Sequence, residues 1–311
     1  MSNLYVKYRP TEFSDMVGNE VAIKALQKSL QKDNHSHVYM FTGPAGTGKT
    51  SLARIMAKHL GASELDIREY NSASNRGIDT AREIQQQMKL YPTAGEVIVY
   101  IIDEFHRVTS DFANALLKPL EDTPSHVYFF LCTTDPQKVI KPIKTRCTEV
   151  KLESLKVSEL ITLIHRVIKL DNLNISKKIY SRIAEVAEGC PRKALVILEQ
   201  VASLESEEEQ EFYLDSGTFS EEDVEIVQLC RKLLDIHANW QHIAKILKQL
   251  SADGKLDDAE KVRYAVLGYM NAVLLNGSMS DRVALAIEAF SEPTYNSGKA
   301  GITLACVKVM M

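Results

Sequence analysis

The sequence predicts an α/β domain, a parallel sheet with helices on both faces, followed by two all-helical regions. Three observations carry this. Through the first 155 residues, short continuous apolar runs alternate with amphipathic segments, the pattern of strands buried on both faces. A glycine-rich turn, GPAGTGKT at 43–50, lies between one such run and the helix after it. Beyond residue 155 the strand-like runs stop, and apolar residues recur at helical three- and four-residue spacing.

Taken in order, VAIKALQKSLQKD (21–33) reads as a helix with apolar residues at Val21, Leu26 and Leu30. HVYMFTG (37–43) is a strand ending in glycine, and SLARIMAKHLG (51–61) is an amphipathic helix closed by Gly61. DIREYNS (66–72) precedes a helix over GIDTAREIQQQMKLYP (77–92) and the strongest strand, EVIVYIID (96–103). SDFANALLKPLED (110–122) is a helix, HVYFFLCTTD (126–135) a buried strand and TEVKLES (148–154) a last one. Helices then follow over KVSELITLIHRVIKLDN, SKKIYSRIAEVAEG and PRKALVILEQVASLES. Pro191 suits the first position of the last of these. The acidic run ESEEEQE (205–211) marks a solvated helix end or linker, and a second helical region follows, with Trp240 as a core or interface anchor. The expected divisions are 1–155, 156–210 and 211–311.

Composition narrows the class. The chain has 311 residues, 45% hydrophobic and 25% charged, as soluble domains do. No apolar stretch reaches the length of a membrane span. A charge interrupts the first ten residues where a secretory leader needs its apolar core. Five widely spaced cysteines without a CxxC pair fit a reducing, cytoplasmic setting and predict neither a disulfide framework nor a zinc site. A net charge of −4 argues against indiscriminate coating of nucleic acid but leaves room for a local basic face.

The turn at Gly43–Thr50 matches G-x-x-x-x-G-K-[ST] between a strand and a helix, where its chemistry requires it. Glycines at 43, 46 and 48 let backbone N–H groups wrap an anion, and the following helix adds its positive end. Lys49 would reach the β- and γ-phosphates of ATP, and the Thr50 hydroxyl would ligate Mg²⁺. A second acidic site is expected at a neighbouring strand end, and VIVYIIDEFH supplies it: Asp103 for the Mg²⁺, Glu104 as general base toward water. The same acids could instead cap the next helix. Thr133 and Thr134 end the following strand, where a hydroxyl could meet the water or the γ-phosphate, or simply favour the strand.

KYRP (7–10), VGNE (17–20), DEFH (103–106), NALLKPLEDTP (114–124), TTDPQKV (133–139) and TRC (145–147) occur in this order. Together they resemble the AAA+ ATPase subunits of DNA-polymerase sliding-clamp loaders. The bacterial gamma/tau subunit is nearest in wording; phage and replication factor C small subunits are further off. The resemblance covers roughly residues 4–200 through specific motifs, and the rest through length and helical character. It implies a P-loop AAA+ domain, a helical lid and an oligomerising helical collar. It also implies an ATPase stimulated by DNA and clamp, acting in the cytoplasm. The implied partners are further copies of the chain and a distinct subunit in a pentamer, a sliding clamp and primer–template DNA, with no membrane.

For the site, the resemblance implies nucleotide contacts from Lys7, Tyr8, Arg9 and Val17. The phosphate loop would contribute Gly43, Pro44, Ala45, Gly46, Thr47, Gly48, Lys49, Thr50 and Ser51. Thr134 matches the sensor of the γ-phosphate, and Arg192 in GCPRKAL the lid arginine. Arg146 matches a finger acting in trans on the next subunit's ATP; the only nearby carboxylate in sequence is Glu149, so no partner in its own chain is expected. Arg76, Ile78 and Arg82 match a segment facing duplex DNA, with Lys28, Lys32 and Arg107 as weaker candidates. Thr145 replaces the usual serine, and Pro191 is unusual before the lid arginine. The four-cysteine module of gamma/tau subunits is absent from 51–102, and the chain ends soon after the collar region. Those departures imply a compact loader, of phage type. The alternatives are a nucleotide-binding scaffold subunit and another AAA+ DNA remodeller.

Overall fold

A computed structural model describes residues 3–32, 34–74, 77–204, 206–215, 224–235, 238–252, 254–275, 281–295 and 297–310. Two compact units emerge, one of Met1–Asn172 with Ala184–Leu195, the other of Leu173–Ile183 with Val196–Met311.

The first unit is built on a five-stranded sheet in the order β2-β3-β4-β1-β5, every pairing parallel. The strands are β1 (Val38–Thr42), β2 (Ile67–Asn71), β3 (Ile98–Asp103), β4 (Val127–Thr133) and β5 (Thr148–Lys151). Helices α1 (Leu4–Lys7), α2 (Glu20–Leu30), α3 (Lys49–His59), α4 (Ile78–Gln87), α5 (Ser110–Glu121) and α6 (Lys141–Lys144) lie among them, and α7 (Val157–Leu170) follows. The continuous apolar runs explain the layering. All residues of β1 and β4 are buried, because alternate side chains serve opposite cores. Tyr39, Phe41, Val99, Ile101 and Phe130 pack with Leu52 and Met56 of α3. Val38, Met40, Tyr100, Ile102 and Phe129 pack with Ile84 of α4 and Phe112 and Leu116 of α5.

Parallel register brings the strand ends to one edge: Thr42 lies opposite Thr133, and Asn71 opposite Asp103. That edge is where sheets of this kind bind ligands.

Three local expectations change. Val21 is 85% exposed, and α2 buries Ile23 in its place beside the expected Leu26. Helix α4 stops at Gln87, with Met88 as its C-cap, short of the tail at 89–92. Thr109, not the acidic pair, caps α5 by accepting from the Phe112 N–H at 3.2 Å.

The second unit is helical. It takes in parts of α8 (Lys177–Val186) and α9 (Pro191–Ala202). After them come α10 (Glu207–Asp215), α11 (Val224–Leu234), α12 (Trp240–Ala252), α13 (Ala259–Leu275), α14 (Asp281–Ser291) and α15 (Gly298–Met310). Leu229, Leu233, Ile243, Val266, Phe290 and Ile302 are among its buried residues. Trp240 is 40% exposed at the start of α12, so it does not anchor that core. Residues 207–211 of the acidic run begin α10, so of the two readings the helix end holds. Among the described residues, no helix is long and apolar enough to cross a membrane.

Candidate active site

The loop after β1 is held in a shape only glycine permits at two points. Gly43 has φ 141°, and a Cβ there would lie 2.1 Å from the Leu152 carbonyl oxygen. Gly46 has φ 72°, and its Cβ would meet the Cys190 Sγ at 2.4 Å. The loop folds back on Lys49, the first residue of α3, which is buried. Its Nζ donates to the carbonyls of Gly43 at 2.9 Å and Pro44 at 2.7 Å. Burial pushes this amine's pKa down, partly countered by Glu104 and Asp103. A buried ammonium bonded to carbonyls alone is placed to be stabilised by an anion.

Across the strand ends, Thr50 Oγ1 donates to Asp103 Oδ2 at 3.0 Å. Glu104 follows β3 in the left-handed region, at φ 51°. Its Oε2 accepts from Thr134 Oγ1 at 3.3 Å and lies 3.3 Å from His106 Nδ1. Thr133 is buried instead, its hydroxyl accepting from the Asp135 N–H and lying 3.1 Å from the same imidazole nitrogen. The two threonines therefore differ: Thr134 meets the acid and Thr133 the histidine.

A cleft of about 380 Å³ opens over Lys49, Thr50, Asp103 and Glu104. Tyr8, Arg9, Met16 and Val17 form part of its wall; Ala45–Ser51, Asp103 and Glu104 lie within it; Pro191 and Arg192, at the start of α9, border it. Arg54 and Glu69 also line it, joined by a two-pronged ion pair with both bonds at 2.8 Å. Burial lowers the Arg9 pKa, and repulsion from Arg54 and Arg192 adds to the effect. With Lys49 these arginines make a cationic cleft around a narrow loop of N–H donors, and Thr50 and Asp103 offer the oxygen ligands a hard cation takes. The residues present fit a magnesium–nucleoside triphosphate.

A family model described as DNA polymerase III, delta subunit, matches residues 18–76 and 62–156. The tau subunit of DNA polymerase III from Bacillus subtilis is 32% identical over 295 residues, which cover 88% of this chain and 51% of that protein. The gamma subunit from Buchnera aphidicola is 28% identical over 281 residues, 78% of this chain and 76% of that protein. The tau subunit of Escherichia coli is 33% identical over 215 residues, 62% of this chain and 33% of its own length. The chain is similar to the gamma/tau subunits of DNA polymerase III. It spans about half the length of the B. subtilis tau subunit. Among solved structures, the RuvB Holliday junction branch migration motor of Thermotoga maritima has a TM-score of 0.54 at 21% identity, covering 94% of this chain and 88% of that one. At that identity the likeness shows the fold alone, an α/β domain with a helical C-terminal part.

The other expected site residues scatter. Gly43 and Pro44 turn carbonyls to Lys49 rather than lining the cleft. Lys7 stays off it as well, pairing with Asp171 at the end of α7, where the Tyr8 hydroxyl also donates. Arg146 lies outside the cleft, on the turn after α6, and it does have a partner in its own chain. Its Nη2 donates to Glu121 Oε2 at 2.7 Å and its Nη1 to the Pro142 carbonyl at 2.8 Å. Glu121 ends α5, 25 residues upstream, and packing of α6 against α5 brings it near. Ile78 opens α4 at 36% exposure, and Arg82 is exposed and paired with Asp79 at 3.3 Å. Arg76 lies outside the described residues. Lys28, Lys32 and Arg107 are exposed.

Sequence reading missed Arg54, Glu69, His106 and Asp171. Arg54 carried a signal, since it follows Thr50 by four residues on one face of α3. Glu69 sits on an edge strand, and Asp171 is 164 residues from Lys7, so neither showed in local pattern.

Proposed function

We propose that this chain is an ATP-hydrolysing subunit of a sliding-clamp loader. Hydrolysis would drive the placement of a polymerase clamp on primer–template DNA. The observation that carries the ATPase part is the constellation of buried Lys49, the Thr50–Asp103 bond and Glu104 beside Thr134 at one sheet edge. The loading part rests on likeness to gamma/tau subunits along 88% of the chain. The likeness to the branch migration motor is one of fold, so the remodeller reading has less support.

In this reading Ala45–Ser51 hold the triphosphate with Lys49 on its terminal phosphates, and Tyr8, Arg9 and Val17 border the remainder. Thr50 and Asp103 would hold Mg²⁺, which neutralises phosphate charge when bound. Glu104 takes the proton of the attacking water. Thr134 and Arg192 contact the γ-phosphate side. Arg146 leaves Glu121 and reaches the neighbouring copy's site, where such a finger is worth on the order of 10³–10⁵ in rate. Residues 156–210 act as a lid and 211–311 as a collar in a cytoplasmic pentamer with a distinct subunit. Arg76, Ile78 and Arg82 hold DNA phosphates without reading sequence.

The test is ATP turnover from mixed Lys49→Ala and Arg146→Ala proteins with primer–template DNA and the partner subunit, mixed assembly being verified by co-purification. Turnover well above either variant alone supports an interfacial finger. A dead mixture beside an active wild type refutes it. Clamp-dependent stimulation of wild-type turnover separates loading from other DNA remodelling.

A further inference from the structure

We propose that His106 is a positioning residue for Glu104, fixing the carboxylate through its Nδ1–H. The inference rests on the ATPase reading above and deepens it.

His106 sits in the single turn Phe105–Arg107 that follows the acidic strand end. Phe105 anchors this turn in the core, and the Arg107 N–H closes it on the Glu104 carbonyl at 2.8 Å. The imidazole is nearly buried, 11% exposed, so the surrounding packing sets its orientation. Its Nδ1 lies 3.3 Å from Glu104 Oε2 and 3.1 Å from Thr133 Oγ1.

Those two neighbours decide the tautomer. An ionised carboxylate only accepts hydrogen bonds, so a bare Nδ1 lone pair would face a negative oxygen. The Thr133 hydroxyl already accepts from the Asp135 N–H and keeps an acceptor site for a second donor. A proton on Nδ1 serves the Thr133 oxygen and sets an N–H edge, not a lone pair, against the carboxylate.

Glu104 Oε2 therefore has the Thr134 hydroxyl as a hydrogen-bond donor and the His106 Nδ1–H edge as a close electrostatic contact, both at 3.3 Å. They are not equivalent. Thr134 carries one proton, and in the proposed reaction that proton turns to the γ-phosphate. Oε2 then retains His106 alone. The left-handed backbone at Glu104 adds to the need, since a side chain on a strained turn must be held by its surroundings. With Oε2 pinned by His106, Oε1 remains to accept the water's proton.

The test compares wild type, Lys49→Ala, His106→Ala and His106→Asn as full chains with primer–template DNA. It measures kcat and KM for ATP hydrolysis and, separately, binding of a fluorescent ATP analogue. His106→Ala is expected to lower kcat by about 10–100-fold, the cost of a loosely held catalytic group, with KM and analogue binding unchanged. His106→Asn, whose amide N–H replaces Nδ1–H, is expected to recover most of the loss. A wild-type kcat in His106→Ala overturns the proposal. So does a parallel loss of kcat and binding, which would mark a role in folding, or an Asn variant as slow as the Ala one. Wild type no faster than Lys49→Ala would sink the ATPase reading itself and the proposal with it, an outcome visible before any histidine variant is compared.

Discussion

The Arg146 guanidinium is tied to Glu121 across 2.7 Å, within its own chain, while the cleft lies elsewhere on the same unit. The pair is part-exposed, at 30% and 60% for the two side chains, so it contributes at most about 1 kcal/mol. If the guanidinium must leave Glu121 to serve a neighbour, breaking the pair should help. Glu121→Gln is expected to lower the melting temperature by no more than about 4 °C and to raise turnover by up to about fivefold. A fall in turnover would mean that Glu121 presents the finger rather than restrains it.

Gly46 has a more local role. Any side chain there must adopt the left-handed region, at about 1–2 kcal/mol, and displace the Cys190 thiol. Gly46→Ala is expected to lose that stability and to weaken binding of a fluorescent ATP analogue at least about tenfold, since one N–H of the cradle is re-aimed. Adding Cys190→Ala should restore the steric part of the stability and not the backbone part. Equal melts for the single and double variants would show that the clash is relieved some other way.

Asp66 is a buried carboxylate just before β2. Burial would raise its pKa, but hydrogen bonds from Ser63 Oγ and the N–H groups of Thr93, Ala94 and Gly95 hold it far below the carboxylate range. A folded-state pKa below the unfolded value of about 3.9 stabilises the fold above that pH, and the contribution fades as pH falls toward the folded pKa. Asp66→Asn is expected to cost about 2 kcal/mol at pH 7, because N–H groups that met a carboxylate face an amide. Denaturant melts should show the gap between wild type and variant narrowing below about pH 4. A gap independent of pH would assign the loss to packing.

The thiols should divide sharply. Cys132 and Cys230 are fully buried, with pKa values raised well above normal by that burial. Burial pushes Cys147 and Cys306 up to about 12. Cys190 is half-buried against the phosphate loop, its thiol directed at the Ala45 carbonyl. Iodoacetamide at pH 8 is expected to label Cys190 first, and MgATP to slow that labelling. Peptide mapping that finds Cys147 labelled first would contradict this, as would indifference to nucleotide.

What was legible in the chain was what local pattern encodes. The strand-then-glycine-then-helix order dictated the phosphate loop, because backbone wrapping, helix dipole and Lys49 all act within eight residues. Apolar period distinguished buried strands from helices, and the hydrophobic run before Asp103 marked the acidic strand end. The pairing of side chains was not legible, because it depends on strand order and helix packing. Order β2-β3-β4-β1-β5 sets Asp103 within reach of Thr50 and Glu104 within reach of Thr134, though neither pair is close in sequence. Packing of α6 on α5 gave Arg146 its carboxylate, and the meeting of α1 with the end of α7 took Lys7 to Asp171. Apolar spacing alone put Val21 in the core, but α2 buries Ile23 in its place beside the expected Leu26, since only contact with the sheet decides which face is inward. The sequence by itself determined the elements and the chemistry available at their ends. The tertiary structure alone decided which charged groups meet, because those meetings are between residues tens to hundreds of positions apart.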